Sequence, residues 1–453
     1  MPDWYYGKHY NMKSMKHLLP IGMLLSLAIS SCKTGPVNLF KTASPYELYQ
    51  RKLSTAGLDK TAMGKAWINA GRESVSKPLR IQVPYKEQGY FPAERAAATA
   101  FRFDVVRGQK LNIRLLKTPS DNFMVYMDLW AFREGNTPKS IAWADTLSSN
   151  ISIDVDENAE YLLRLQPELL RSGSYTLEIV SGPSLSFPVK TTGRKRIESL
   201  FGVGRDANTR KHEGIDIFGP KLTPVVASAD GVVTRVAENN LGGLVVMMRP
   251  NGKNYTLYYA HLDKQLATEG QQVRTGDTLG LMGNTGNART TPPHLHFGIY
   301  TSGGAIDPLP FVNPETKEAR AITASTDNIN ASFRNSSKVD LRESPDNKAL
   351  TLMSLDPATV MLVEAATTSW YKARLPDGTS GYVPAKGLLP LKTSIRSIKL
   401  KPQQLALYDQ PVLAAPIKKN LDSGSTVNVL GRFDDFLLVR DVAAETGWVE
   451  AGL

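Results

Sequence analysis

The chain has 453 residues, of which 42% are hydrophobic and 21% are charged, with 35 Gly and 28 Pro. This composition is typical of globular domains rich in β structure and turns, and it excludes a collagen-like, coiled-coil or wholly disordered protein. At roughly 100–200 residues per domain, the length predicts three or four domains. Lys and Arg (54) outnumber Asp and Glu (43), and the formal charge of +11 favours anionic partners such as nucleic acid, phospholipid or cell wall.

The N-terminal segment has the features of an export signal. Lys13 and Lys16 precede an apolar stretch, residues 18–29, which is too short to span a bilayer that needs about 20 residues. Cys32 follows two serines and is the only cysteine, so an intramolecular disulfide framework and a Cys-based zinc ribbon are excluded.

Cys32 resembles the lipidated cysteine of bacterial lipoproteins. The resemblance implies a signal peptide over residues 1–31, a lipid anchor at Cys32 and a protein that faces the periplasm. The residues after the cysteine are Lys33 and Thr34, and neither is the Asp that would indicate retention in the inner membrane. The outer membrane is therefore favoured. A plain signal peptide or an uncleaved anchor is the alternative, and translation starts at either Met1 or Met12.

Residues 32–78 are expected to form a tether and a helical segment. Ser44, Pro45 and Glu47 have the spacing of a capping box with Pro at the first helical position, and Gly57 is suited to end that helix. A second helix is predicted from Thr61 to about Ser74. Packing against the next domain is the expected role of both helices.

Residues 79–189 show the period-two alternation of β-strands. Phe101, Phe103 and Val105 alternate with polar residues, and further short apolar runs follow, separated by Gly and Asn. Many short strands with turn signals between them predict a β-sandwich. The segment weakly resembles the pre-peptidase C-terminal domains of secreted hydrolases, which implies a spacer or binding module.

Four of the six histidines lie within residues 212–296. His212 and Asp216 are four apart, and His261 comes late in an alternating strand. His294 and His296 are two apart, so in a strand both point to the same face. Imidazoles and a carboxylate suit Zn²⁺, whose catalytic sites keep three protein ligands and one open position. His212, Asp216 and one member of the His294–His296 pair would provide such a set.

These motifs resemble those of the lysostaphin/LytM-type zinc endopeptidases, whose signature is H-x-x-x-D followed by H-x-H with a further His on the strand between. The resemblance covers about residues 200–310. It includes short segments of similar sequence around the motifs, among them Thr223 to Ala227, Ala229 to Val233, Tyr259 to Leu262 and Gly283 to Gly286. It implies that His212, Asp216 and His296 bind zinc and that His261 and His294 are the catalytic pair. It also implies an antiparallel β metallopeptidase domain over residues 190–316.

Two departures from the family pattern stand beside the expected ligands. Gly298 follows the H-x-H Phe where family members often have Glu, and the turn over residues 287–293 is longer and richer in Pro. Both affect substrate preference more than metal binding. Glu213 follows His212 as in H-E-x-x-H, but the second His is missing, so we expect a solvated or structural Glu213.

The expected chemistry follows from the metal. Bound Zn²⁺ lowers the pKa of water from 15.7 towards about 7 and so provides hydroxide at neutral pH. His261 would take up and deliver a proton, and His294 would donate a hydrogen bond to the oxyanion. The sequence does not decide which histidine performs which step.

The C-terminal part resembles a tandem pair of bacterial SH3-like barrels. A polar linker (residues 317–335) comes first. Residues 336–391 then have an opening strand, a hairpin that begins at Trp370 and turns at an Asp-Gly pair, and a final strand with the sequence Gly-Tyr-Val. Residues 392–453 repeat this order in degraded form. The resemblance implies peptidoglycan binding or packing on the enzyme domain, and the aromatic residues Trp370, Tyr371 and Tyr382 are expected to be core.

The sequence thus predicts a mainly β, exported zinc endopeptidase of peptidoglycan with no nucleic-acid partner. The main alternative is a non-catalytic peptidoglycan-binding regulator, or amidase activator, that keeps the same fold. A second, less favoured alternative is a protease that acts on other proteins. Because an uncontrolled wall hydrolase would lyse its host, self-occlusion of the site by the N-terminal or C-terminal domains is also expected.

Overall fold

The computed structural model describes residues 42–132, 138–145, 149–191, 193, 196–205, 208–400 and 405–451. The predicted signal peptide and Cys32 lie outside these residues. The described part is mainly β, as predicted, and most of its strands pair in antiparallel sheets. None of its helices is both long and apolar enough to cross a membrane.

The N-terminal segment forms the two predicted helices, α1 (Pro45–Thr55) and α2 (Ala62–Ser76). Both halves of the capping box are present: the Glu47 N–H donates to Ser44 Oγ (3.3 Å), and the Ser44 N–H donates to the Glu47 carboxylate (3.0 Å). Gly57 follows α1 with φ 70°, the left-handed conformation that ends many helices.

The helices pack on the next domain, also as predicted. Trp67 of α2 is 1% exposed, and its Nε1–H donates to the Pro167 carbonyl at 2.8 Å. The Tyr46 ring stacks on Trp67 and on the Arg164 guanidinium, which in turn pairs with buried Asp128 at 2.6 Å. Aromatic burial, the Trp67 hydrogen bond and the stacking of Tyr46 on Arg164 therefore hold the helices in place.

Residues 79–183 form the predicted two-sheet β structure. Its strands are β1 (Leu79–Arg80), β2 (Tyr85–Phe91), β3 (Thr99–Val105), β4 (Gln109–Thr118), β5 (Val125–Phe132), β6 (Lys139–Trp143), β7 (Asn150–Asp154), β8 (Ala159–Pro167) and β9 (Gly173–Pro183). One sheet has the order β1-β3-β8-β5-β6, and the other contains β2-β9-β4-β7. The alternating residues Phe101, Phe103, Leu111 and Ile113 are fully buried between them.

The next domain is built around one antiparallel sheet. Its strands are β10 (Arg196–Ser199), β11 (Gly204–Arg205), β12 (Arg210–Lys211), β13 (Ile215–Phe218), β14 (Pro224–Val226), β15 (Gly231–Asn239), β16 (Gly243–Pro250), β17 (Thr256–Gln265), β18 (Gln272–Val273), β19 (Thr278–Met282), β20 (His294–Thr301) and β21 (Gly304–Ile306), with helix α3 (Leu309–Val312) after them. The main order is β10-β13-β20-β17-β16-β15-β18, and β11 and β12 form a separate hairpin. The neighbours β13, β20 and β17 carry most of the predicted site.

Two C-terminal repeats follow. The first has β22 (Ser332–Asn335), β23 (Val339–Arg342), β24 (Thr351–Leu355), β25 (Val360–Thr367), β26 (Trp370–Arg374), β27 (Ser380–Pro384) and β28 (Leu388–Pro390). The second has β29 (Arg396–Lys399), β30 (Leu405–Tyr408), β31 (Ile417–Leu421), β32 (Thr426–Phe433), β33 (Phe436–Arg440) and β34 (Thr446–Glu450). Gly381 lies against Leu341 just as Gly447 lies against Leu407, so the two repeats share one internal pattern.

The predicted linker, residues 317–335, is shorter than expected. Its last residues form β22, which pairs with β25 and β28 of the first repeat. The polar composition concealed this strand because Arg334 and Asn335 are buried through hydrogen bonds rather than through apolar packing. The Arg334 guanidinium donates to the carbonyls of Thr393 and Leu430, both at 2.9 Å.

The first repeat is joined to the β-sandwich by a shared sheet, which the sequence did not predict. Strand β25 pairs with β2, with Gln88 opposite Ala366, and so extends one sheet of the sandwich across the domain boundary. Trp370 and Tyr382 belong to the same core cluster as the sandwich residues. This burial confirms that the repeat's aromatic residues are core.

Candidate metal centre

Three of the predicted residues bring one ligand atom each to a single point. His212 Nε2 lies 3.0 Å from Asp216 Oδ1, and His296 Nδ1 lies 3.1 Å from the same oxygen. The two ring nitrogens are 2.9 Å apart. These three residues form the group that has metal-ligand geometry among the described residues.

Strand register explains how the three residues meet. Strands β13 and β20 are antiparallel neighbours, and Asp216 lies directly opposite His296. His212 follows the hairpin strand β12 and reaches the same face. Gly214 makes room for this approach, because a Cβ there would lie 2.7 Å from the His296 ring and 2.5 Å from the Phe297 carbonyl oxygen.

The hydrogen-bond partner of His212 shows which of its ring nitrogens can bind a metal, and the surroundings of Asp216 show that its side chain is charged. His212 Nδ1 lies 2.9 Å from the Leu200 carbonyl oxygen, which only accepts, so Nδ1 carries the proton and the Nε2 of the neutral ring has a lone pair. Burial acts to raise the pKa of Asp216, but the adjacent His212 and His296 outweigh burial and hold it well below its usual range. The Asp216 side chain is therefore a carboxylate at neutral pH.

Burial also lowers the pKa of His296, which favours the neutral ring at neutral pH. With the His296 proton on Nε2, two imidazole lone pairs and a carboxylate oxygen would face one another within about 3 Å, an arrangement that a cation between them would stabilise. Two His and one Asp with a free side match the ligand set of a catalytic zinc site. The three possible ligand atoms of this structure therefore fit a zinc ion.

His261 joins the site through a break in strand geometry. Tyr259, two residues earlier, is fully buried in the core, so regular alternation would turn His261 to the core as well. Instead His261 has φ 61°, and the pairing of β17 with β19 is irregular just after it. The ring consequently lies beside the other histidines, with its centroid 4.9 Å from that of His294.

A close contact between two loops orients the His261 ring. Gly243 has φ 63°, and a Cβ there would lie 2.4 Å from the Gly286 nitrogen, so only glycine allows the loops to touch. The contact brings the Thr285 carbonyl to 2.9 Å from His261 Nδ1. Nδ1–H therefore donates to that carbonyl and Nε2 is left free. Burial, followed by the nearby His294 and His296, lowers the pKa of His261 to about 4.

His294 is placed in a similar way. Its Nδ1 lies 2.9 Å from the Pro292 carbonyl, so Nδ1–H donates there and Nε2 is free of that bond. Its ring stacks on Phe218 with 4.8 Å between centroids. His294 and His296 lie on the same face of β20, as their spacing predicts.

The residues around these side chains form a pocket of about 370 Å³, lined by Ser199, Arg205, Arg210, His212, Glu213, Asp216, Phe218, Leu241, Gly242, Tyr258, His261, Asn287, Ala288, Thr291, His294, His296 and Tyr300. All of these belong to residues 199–300. In the described part of the chain, neither the helices nor the sandwich nor the C-terminal repeats line the pocket, so their self-occlusion of the site stays a prediction.

The pocket wall includes residues that the sequence analysis missed. Tyr300 lies four residues after His296 and two residues after Gly298 on the site face of β20, a spacing that could have revealed it. Its ring occupies the space beside Gly298, where a Cβ would lie 2.8 Å from it. Its hydroxyl donates to the exposed Glu213 carboxylate at 3.2 Å, which agrees with the expectation of a solvated or structural Glu213. Tyr258 lies directly opposite Gly298 on β17.

Comparison with known protein families assigns the segment that carries this site. Residues 210–308 match peptidase family M23. This segment is a peptidase family M23 domain. The matched residues include all five predicted site residues and the neighbouring strands β13, β17 and β20.

Similar proteins share the M23 domain rather than the whole chain. Over 129 residues the chain is 40% identical to the DD-carboxypeptidase/endopeptidase Mpg of Neisseria meningitidis, a match that covers 28% of this chain and 29% of that protein. It is 35% identical over 138 residues to the murein hydrolase activator NlpD of Salmonella dublin, covering 29% of this chain and 34% of that one. The solved catalytic domain of lysostaphin from Staphylococcus simulans is 30% identical, with a TM-score of 0.23, and the match covers 26% of this chain and 90% of that chain.

The chain spans about a third or less of the length of the curated relatives that it matches first. The similarity to these relatives is therefore confined to the M23 domain. The helices, the sandwich and the C-terminal repeats lie outside the family match.

Proposed function

We propose that this protein is a zinc-dependent endopeptidase that hydrolyses peptide bonds in peptidoglycan cross-links or stem peptides. The observation that carries the proposal is the convergence of three possible ligand atoms, from His212, Asp216 and His296, beside two further histidines. Relatives named as peptidoglycan DD-endopeptidases support the substrate class. The basic charge of the chain suits an anionic cell wall.

The metal centre would be held by His212 Nε2, Asp216 Oδ1 and His296 Nδ1. A zinc ion there would supply a water with a pKa near 7 and would polarise the substrate carbonyl. The Leu200 carbonyl holds the His212 ring in the tautomer that presents a lone pair, as partners of metal-bound histidines commonly do.

His261 is suited to act as the base. Its Nδ1–H is held by the Thr285 carbonyl, so Nε2 presents the lone pair to the pocket. With its pKa lowered to about 4, the ring is neutral at neutral pH, so its Nε2 lone pair is available to accept a proton from the attacking water. The protonated ring can then deliver that proton to the leaving amine.

His294 would act differently. Because its Nδ1–H donates to the Pro292 carbonyl, the neutral ring offers only a lone pair at Nε2. A hydrogen bond from His294 to the tetrahedral oxyanion therefore needs a hydrogen on Nε2. The two ring centroids are 4.9 Å apart, and both histidines line the same pocket.

The setting of the enzyme is part of the proposal. A lipid anchor at Cys32 would keep the protein at the membrane with the M23 domain in the periplasm, the outer membrane being favoured. A relative named as the lipoprotein YgeR of Escherichia coli, 36% identical over 104 residues, supports this setting.

The test is digestion of purified peptidoglycan by the full-length protein in detergent, read by mass spectrometry of the released muropeptides. We expect new peptide ends that disappear with a chelator and in Asp216→Asn. The matched control is Asp277→Asn, because this exposed carboxylate accepts from the Arg274 N–H outside the pocket. Cleavage that persists in Asp216→Asn would contradict the proposal.

A second function has one observation in its favour, the similarity to a murein hydrolase activator. A wall-binding regulator would need the fold but not the two free histidines. Intact peptidoglycan, tight binding to it and stimulation of an added amidase would favour this alternative.

A further inference from the structure

The two oxygens of the Asp216 carboxylate have different partners. Oδ1 faces the two histidine nitrogens at 3.0 and 3.1 Å. Oδ2 accepts a hydrogen bond from the Arg205 guanidinium at 2.6 Å. The Asp216 side chain is buried and Arg205 is about one third exposed, so this charge pair lies at the wall of the pocket.

Arg205 also reaches the histidine side of the centre. Its guanidinium donates to Ser199 Oγ at 2.7 Å, and that hydroxyl lies 3.3 Å from His212 Nδ1. Arg205 ends β11, which pairs with β12, and His212 follows β12 directly. One side chain therefore links a carboxylate ligand, a histidine ligand and the hairpin that delivers the latter.

We propose that Arg205 is a positioning residue of the metal centre, which occupies Asp216 Oδ2 so that Oδ1 alone is offered to the metal. This inference rests on the proposed function, because it assumes that the three-ligand group binds zinc. A carboxylate binds a metal through one or both oxygens, and a strong charge-assisted donor at one oxygen favours the single-oxygen mode. Single-oxygen binding keeps three protein ligands and leaves the fourth position of the zinc for water.

Lysine would not replace arginine fully. Both hydrogen bonds, to Asp216 Oδ2 and to Ser199 Oγ, come from one nitrogen, Nη2, which the planar guanidinium holds in a fixed direction. The ammonium of lysine could donate to both oxygens, but it is a compact point charge on a flexible stem and is less well fixed there. We therefore expect Arg205→Lys to restore part of the effect, and Arg205→Gln to remove it.

The test uses the full-length protein with Zn²⁺ or Co²⁺ as the added metal. The visible absorption of Co²⁺ is more intense in four-coordinate than in five-coordinate sites, so it reports whether Asp216 binds through one oxygen or two. For Arg205→Gln we expect weaker cobalt absorption and a loss of activity at saturating zinc of about 10- to 100-fold, the usual effect of removing a partner of a metal ligand. Arg205→Lys should lie between this variant and the unmodified protein.

The matched control is Arg196→Gln. Arg196 lies on β10 of the same domain and pairs with Glu198 rather than with a ligand, so its loss should leave the cobalt spectrum unchanged. If Arg205→Gln fails to fold, Ser199→Ala takes its place, because it removes the contact that joins Arg205 to His212; a smaller spectral change in the same direction is then expected.

The outcomes separate the two proposals. A cobalt spectrum and an activity unchanged in Arg205→Gln would overturn the positioning role while leaving the metal centre intact. A lower unfolding temperature with an unchanged spectrum would make Arg205 a merely structural ion-pair partner and would also overturn it. An unmodified protein that binds neither metal would overturn the proposed function and this inference together.

Discussion

Two buried carboxylates, Asp216 in the M23 domain and Glu87 at the junction of the sandwich with the first repeat, illustrate different uses of the same group. Glu87 is fully buried and accepts from Tyr85 Oη at 2.6 Å, Tyr175 Oη at 2.7 Å and Lys372 Nζ at 2.8 Å. Each of these partners is a donor. By contrast, Asp216 Oδ1 faces two histidine nitrogens beside an open pocket.

The partners of the two carboxylates distinguish a structural hydrogen-bond network from a binding site. Burial raises the pKa values of Tyr85 and Tyr175 well above their usual range, and the adjacent Glu87 adds to this rise, so both hydroxyls keep their protons and donate. With Lys372 the Glu87 cluster is complete, and a ligand would find neither space nor an unused acceptor. The Asp216 cluster has three possible ligand atoms and an adjoining pocket, and so could take up a cation.

The largest expected effect comes from making the same carboxylate-to-amide change at both places. Asp216→Asn should reduce peptidoglycan cleavage to the level of the chelated enzyme, because the change removes the anionic ligand. It should destabilise the metal-free protein less than Glu87→Gln does, because the Arg205 partner of Asp216 is about one third exposed whereas the Lys372 partner of Glu87 is buried. Glu87→Gln should leave the activity per folded molecule unchanged. Muropeptide release and urea denaturation of both variants check this, and a larger loss of metal-free stability in Asp216→Asn than in Glu87→Gln would break the comparison.

His261→Ala should separate catalysis from metal binding. We expect kcat to fall by about 10²- to 10⁴-fold, the usual contribution of a positioned base, with the zinc content unchanged, since His261 is outside the ligand group. Kinetics together with metal analysis of the purified variant measure both quantities. A variant that lost its zinc would place His261 among the ligands.

Lys372→Met should destabilise the protein by about 3–5 kcal/mol, because it leaves the Glu87 charge buried without its cation. Activity per folded molecule should be unchanged. Urea denaturation measures the loss, and the double variant Glu87→Gln, Lys372→Met is the control, since it should lose less than the sum of the two single changes. Strict additivity would show that the two side chains do not act as a pair.

The smallest effect is expected for Tyr382→Phe. The change removes one buried hydrogen bond, between the Tyr85 and Tyr382 hydroxyls at 2.9 Å, and keeps the ring in the core, so a loss of about 1 kcal/mol is expected. Thermal unfolding of the variant checks this value. A loss as large as that of Lys372→Met would mean that the hydroxyl network, and not the ion pair, dominates the junction.

Local rules carried much of the sequence analysis. The capping box of Ser44 and Glu47 located the first helix, because a helix N-terminus is satisfied by neighbours within one turn. The two-residue spacing of His294 and His296 placed both on one face of β20, because side chains alternate along a strand. In both cases the relevant contacts involve residues close in sequence, which a pattern can record.

His261 shows where such rules end. Alternation alone would turn it away from the site, and its left-handed backbone depends on the approach of Gly243 to Gly286, two loops about 40 residues apart in sequence. The pairing of β2 with β25 is of the same kind, since Gln88 and Ala366 are brought together only by the packing of two domains.

The sequence by itself determined which residue types form the candidate centre, the metal that they suit and the mainly β character of the chain. Only the tertiary structure decided that His212 Nε2, Asp216 Oδ1 and His296 Nδ1 meet, that Arg205 holds the remaining carboxylate oxygen, and that the first repeat continues a sheet of the sandwich. The physical reason is that residue chemistry and strand periodicity are local properties, whereas register between distant strands is set by the burial of a whole core.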